Sequence, residues 1–201
     1  MTDSTSQVSK TWLIALGAAG AVLIAIASAG IAIYAGVYNV AADIPHTQPV
    51  YWLLETARQR SVAVRAADID VPDLDSADRM ASGAGQYADM CAGCHLAPGM
   101  KRTEMSRGLY PRAPELRRGS DMTAAEEFWV VKHGIKATGM PAWGVTHSDE
   151  MLWDVVAFLR KLPELSPEEY QALVKKAPSH DEIMEKTEAM EADDGHAGHV
   201  H

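Results

Sequence analysis

Two cysteines occur in the 201-residue chain, and both fall in one short stretch, Cys91-Ala92-Gly93-Cys94-His95. Cys-x-x-Cys followed at once by His is the signature at which a c-type haem is attached. Two thiols reach the two vinyl groups of one haem, and the next residue offers an imidazole to the iron. A redox dithiol or plain disulfide needs no His there, and a structural zinc site wants four ligands, usually with further cysteines. The motif constrains the fold as well as the chemistry. A domain of about 100 residues is only marginally stable by buried area, so a covalently held cofactor at its centre becomes part of the core. One covalent haem c is expected, with Cys91 and Cys94 as thioether links and His95 as proximal ligand.

Further along stand Lys136-Ala137-Thr138-Gly139-Met140-Pro141-Ala142-Trp143 and a closing amphipathic helix. Together with the Cys-His motif they resemble a small single-haem class I cytochrome c on a membrane anchor, over residues 76–165. The resemblance implies an all-α class I cytochrome c-like haem domain, several short helices wrapped around one haem. It also implies that the first and last helices cross through a glycine and an aromatic, here Gly85 and Tyr87. Met140 is the expected distal ligand. Pro141 pushes it toward an extended conformation and Gly139 frees the backbone, leaving a thioether on an irregular segment; the resemblance points to the same residue. Met90, Met100 and Met105 lie nearer in sequence, and His133 or His147 would give bis-His ligation. His/Met ligation favours ferrous iron and fills both axial positions, so the expected role is an electron carrier and not an enzyme, either free or as a subunit of an oxidoreductase complex. A haem-based sensor or peroxidase-like protein, the alternative, would need an open sixth position.

From Thr11 to Ala42 no residue is charged. At ~1.5 Å per residue this run exceeds the ~30 Å hydrocarbon core of a bilayer, and it is longer than the ~7 to 15 residue apolar region of a cleavable signal peptide. The expected layout is a cytoplasmic N-terminus at 1–11, a transmembrane anchor at 12–36, a juxtamembrane helix and linker at 37–75, the cytochrome c domain at 76–165, a C-terminal helix at 166–178 and a flexible tail at 179–201. Since c-type attachment is made outside the cytoplasmic membrane, the expected location is a bacterial inner membrane, single-pass, with the haem domain in the periplasm. Gly17 with Ala21, Ala25 with Ala29 and Ala32 with Gly36 are small residues spaced by four, a face on which a second transmembrane helix can pack. In the juxtamembrane segment, Thr47 is the expected cap, and Val50, Leu54, Ala57 and Ser61 share one face. Within the cytochrome domain, Ser76, Thr123, Ser148 and Ser166 read as helix caps, with capping boxes at Thr123 and Ser166.

Net charge is −9, but residues 76–165 hold as many acids as bases, and Asp181 to Asp194 carries seven acids against Lys186. Between Pro98 and Ser120, an irregular stretch, six bases face two acids, a loop suited to steering an acidic redox partner. No nucleic-acid motif accompanies it. In the tail, His196, His199 and His201 follow His180, Met184 and Met190, a set that could gather around copper or zinc. A periplasmic copper-binding role through that tail is the remaining alternative function.

Overall fold

The computed structural model describes residues 4–185. The chain divides into two units, Met1–Ile44 and Pro45–His201. The first is built on one helix, α1 (Ser4–Tyr34). Its stretch Lys10–Tyr34 has a mean hydropathy of 2.2 and is long and apolar enough to cross a membrane; none of it is buried against described protein. The helix stops at Gly36, whose φ of +66° is open to glycine at no steric cost. The amide of Gly36 donates to the Ile33 carbonyl and that of Val37 to Ala32, which satisfies two carbonyls that would otherwise be stranded at the helix end.

The regular structure of the second unit is helical, with no strand among the described residues. Its helices are α2 (Gln48–Ala66), α3 (Ala77–Gln86), α4 (Ala92–His95), α5 (Glu104–Gly108), α6 (Ala124–His133), α7 (Asp149–Lys161) and α8 (Pro167–Lys176). Capping chemistry sets most of their starts. Hydroxyls of Ser76, Thr123, Ser148 and Ser166 accept from backbone amides three residues on, and Glu126 and Glu169 close capping boxes at the second and fourth of these. Thr47 takes the extended cap conformation, but its side chain makes no capping bond; Pro49 in the first turn leaves one fewer amide to satisfy. The stretch after Pro98 is less irregular than its prolines suggest, because Thr103 caps the short helix α5 through the Ser106 amide at 3.0 Å.

Helix α7 is the hub. Eight of its residues from Met151 to Leu159 are buried, not just the stripe Leu152, Val155, Val156 and Leu159, because it is covered from two sides. On one side Val155, Phe158 and Leu159 pack with Ala84, Tyr87, Cys91 and Tyr170. On the other, Leu152, Trp153 and Val156 pack with Phe128 and Val131, and the Phe128 and Trp153 rings stack at 4.0 Å. Helices α3 and α7 cross at Gly83, where a Cβ would collide with the Asp154 carbonyl and with Cβ of Phe158. The expected crossing glycine, Gly85, instead faces Ala177 and Pro178 beyond the end of α8. The aromatic half of that expectation stands: Tyr87 meets the Phe158 ring at 5.3 Å. Arg79 ties the same crossing at its rim, donating to Asp154 at 2.9 Å and Glu150 at 2.6 Å.

Helix α2 packs on α6 with a face other than the one its apolar spacing suggested. Val62 and Ala66 are buried, whereas Leu54 and Ala57 are exposed together with Trp52 and Leu53. The inward face of the preceding turns carries Glu55 and Arg58, paired to each other at 2.5 Å. The tail residues His196, His199 and His201 lie outside the described residues.

Candidate functional site

Between the stretch Tyr87–His95 and the Met140 loop lies a cavity of about 700 Å³. Cys91, Cys94, His95 and Met140 all line it. The cysteines get there by a local break in helical geometry. After Gln86 the chain widens into a π-helical turn, Tyr87–Cys91, before α4 resumes with Ala92–His95. Such turns insert one extra residue into a helix and recur at functional sites. Helix α4 then ends abruptly. Leu96 adopts φ +63°, an uncommon conformation for a branched residue, and is held there by burial and by the Tyr87 hydroxyl, which donates to the Leu96 carbonyl at 2.5 Å.

His95 is half-buried, and its Nδ1 lies 2.9 Å from the carbonyl oxygen of Pro114. A carbonyl only accepts, so Nδ1 carries the proton and Nε2 keeps its lone pair. Burial pushes the His95 pKa down, against a smaller upward pull from Pro114. Burial is the larger effect and favours the neutral imidazole, and the hydrogen bond from Nδ1 leaves Nε2 as its free nitrogen, the form that binds a metal. Burial, with a lesser contribution from Cys94, pushes the Cys91 thiol up to about 12. Cys94 is more open, its sulfur 3.1 Å from that of Met105.

The Met140 loop is shaped from within. The Thr138 hydroxyl donates to Ile135 O at 2.8 Å and accepts from the Met140 amide at 3.1 Å, and Ile135 N donates to Met140 O at 3.2 Å. Gly134, at φ +63°, ends α6 where a Cβ would strike the carbonyls of Met140 and Pro141. Met140 is half-buried and packs with Trp143 against the Phe128 cluster. Of the other candidate ligands, Met90 lines the cavity, while Met100, Met105, His133 and His147 do not. His133 is exposed beside Trp129, and His147 faces His180. Among the described residues, no group of three or more His, Cys, Asp or Glu side chains is placed to hold a metal ion.

Two thiols, an imidazole with a fixed tautomer and a thioether around one largely apolar cavity suit a c-type haem by donor chemistry. Residues 78–159 match the sequence family described as cytochrome c oxidase, cbb3-type, subunit III. These residues form a monohaem class I cytochrome c domain. Its cofactor is a covalently bound c-type haem, and its chemistry is electron transfer. No curated protein and no solved structure matches the chain.

The cytochrome domain receives side chains that its motifs did not announce. Tyr51, Glu55, Arg58 and Val62 reach the cavity from α2, outside the matched segment. The i,i+3 spacing of Glu55 and Arg58 was the available signal, and it reads equally well as a solvated pair. Glu127 is buried in the cavity wall, its Oε1 3.6 Å from Arg160 and its Oε2 without a protein partner. Burial raises its pKa, Arg160 only partly offsetting the shift. The positive loop is also less free than its composition implies. Glu115 gathers Arg117 and Arg118 at 3.0 Å and Arg102 at 3.6 Å. Lys101, Arg107 and Arg112 are exposed and have no ion-pair partner among the described residues.

Proposed function

We propose that this chain is a membrane-anchored c-type cytochrome passing single electrons between respiratory or dehydrogenase partners on the periplasmic side of a bacterial inner membrane. Cys91 and Cys94 form the two thioether links, and His95 through Nε2 and Met140 through its sulfur are the axial ligands. The observation that carries this reading is the convergence of these four side chains on one cavity, with Pro114 O fixing the His95 tautomer. Bound there, the haem supplies a reversible one-electron couple. The residues do the rest. His95, Met140 and the wall formed by Leu116, Val155 and Leu159 hold the group away from bulk water. The loop bonds of Thr138 fix the direction from which Met140 approaches.

Helix α1 supports an uncleaved single-pass anchor, and covalent haem attachment outside the cytoplasm supports the periplasmic side. The matched family is described as a subunit of an oxidase, which favours a place beside a membrane oxidoreductase over a free carrier. The small residues Gly17, Ala21, Ala25 and Ala29 offer α1 a face for a second helix. Lys101, Arg107 and Arg112 are the charges left to steer an acidic partner, since Glu115 engages the other three.

The deciding experiment is spectroscopic. Matured with covalent haem, the ferric protein should show the weak near-infrared sulfur-to-iron band, and Met140→Ala should abolish it and lower the reduction potential. A band that persists in Met140→Ala, or its absence from the wild type, overturns the ligand assignment. Carbonate-washed membranes should retain the protein at its full mass; a soluble product beginning near Gly30 would mean that α1 is a cleaved leader. Purification in mild detergent, followed by identification of what co-migrates, tests the membrane partner.

A further inference from the structure

His147 and His180 come from distant parts of the chain, one just before α7 and the other after α8, and their rings meet with centroids 5.3 Å apart. His147 is 8% exposed. Its Nδ1 lies 2.8 Å from the Thr146 hydroxyl. Its Nε2 and the Nδ1 of His180 are both buried, and neither has a protein hydrogen-bond partner. Buried polar atoms nearly always find a partner, because stranding one costs about 1 to 3 kcal/mol. Two stranded nitrogens on two neighbouring rings therefore call for a third species between them.

We infer that His147 and His180 form a two-imidazole site for a borderline transition-metal ion of the Zn(II) or Cu(II) class. An ion about 2.0 Å from a ring nitrogen lies about 3.2 Å from that ring's centroid. Centroids 5.3 Å apart then subtend about 110° at the ion, which suits the tetrahedral preference of zinc. The Thr146 hydroxyl can accept from Nδ1–H of His147, which leaves Nε2 as the ligating nitrogen and sets the ring's orientation. Burial, and to a lesser degree His180, lowers the His147 pKa, so no proton needs displacing near neutrality. Residues 180–185 are helical, with Ile183 buried and Met184 half-buried one turn beyond His180, so the segment is seated and does not hang free. Water completes the coordination shell. The ion would staple the segment after α8 to the loop that runs from Met140 through Trp143 to His147. The site is separate from His196, His199 and His201, which lie outside the described residues.

The test uses the full-length, haem-loaded protein in detergent, stripped with chelator and titrated calorimetrically with Zn(II) alone and with Cu(II) alone. Because the tail histidines can also bind metal, the background is the triple variant His196→Ala, His199→Ala, His201→Ala. This background should keep one site of each metal. Adding His147→Gln or His180→Gln should weaken that site by about tenfold or more, and electron paramagnetic resonance of the Cu(II) form should lose its two-imidazole nitrogen coupling. Soret absorbance and covalent haem content report folding, and if His147→Gln fails that check, His180→Gln, on a half-buried segment, decides the matter. Unchanged affinity in a folded His180→Gln variant, or complete loss of binding in the tail variant alone, overturns the site.

Discussion

Gly83→Ala probes the closest approach in the cytochrome domain. Two effects oppose each other. Replacing a mid-helix glycine by alanine favours the helix by about 1 kcal/mol. Against this, the new Cβ would meet the Asp154 carbonyl oxygen, its carbon and Cβ of Phe158. Backbone on α7 cannot swing aside as a flexible side chain would, so α3 and α7 must part by about 1 Å to restore ordinary contact. That shift loosens the Tyr87–Phe158 pair and the Arg79–Asp154 bond together. Overpacking of this kind costs about 3 kcal/mol or more when rigid groups collide. The net expectation is a loss of about 2 kcal/mol or more, read as a lower midpoint in guanidinium unfolding of the ferric holoprotein with little change in slope. Gly108→Ala is the control, because a Cβ there would have nothing within 4 Å; it should leave the stability within about 0.5 kcal/mol of the wild type. If Gly83→Ala matches or exceeds the wild type, the helices do not cross at this glycine and the packing argument fails.

Other outcomes follow from the charged groups. Lys101→Glu, Arg107→Glu and Arg112→Glu, combined, should slow reaction with an acidic redox partner by about tenfold at low salt and much less at high salt; salt-independent rates would remove the steering role. For His147 the folded pKa lies below the ordinary histidine value, with His180 the titratable group facing it. On acidification the unfolded chain therefore binds the proton first. Stability falls as pH drops through about 6.5, and the loss is complete below the folded pKa. In chelator, His147→Gln should lose less stability than the wild type between about pH 7.5 and pH 5, measured by denaturant midpoints; parallel curves would contradict the assignment.

What the sequence made legible was local chemistry. Ser76, Thr123, Ser148 and Ser166 each stand before a run whose first turn is acidic, and every one of those helices starts there. A cap is decided within four residues, so it can be read without knowing the rest of the fold. The crossing glycine could not be. Gly83 and Gly85 stand on the same helix two residues apart and weaken it equally. Only the placement of α7 and of Ala177 tells which partner each one meets. The same holds for α2, whose apolar residues suggested one buried face. Its neighbour α6 selects another, and Trp52, Leu53 and Leu54 are left exposed.

The Cys-x-x-Cys-His motif shows why a signature can be specific in sequence and still hide its geometry. The five residues do not occupy one regular helix. Cys91 ends the π-helical turn, and Ala92 to His95 form the single α turn that follows. An unbroken α-helix would rotate successive residues by about 100° and fix where each thiol points relative to α3. The inserted residue changes that phase, and Leu96, at φ +63°, stops the helix immediately after the imidazole. Neither distortion is favourable alone. Both are held by Tyr87, fully buried, whose ring packs on Phe158 of α7 and whose hydroxyl bonds to the carbonyl of the strained residue. The presentation of Cys91, Cys94 and His95 thus depends on the α3–α7 crossing, which lies outside the motif. A change at that crossing such as Gly83→Ala should disturb haem attachment as well as stability, although neither Gly83 nor the Asp154 and Phe158 that it meets lines the cavity.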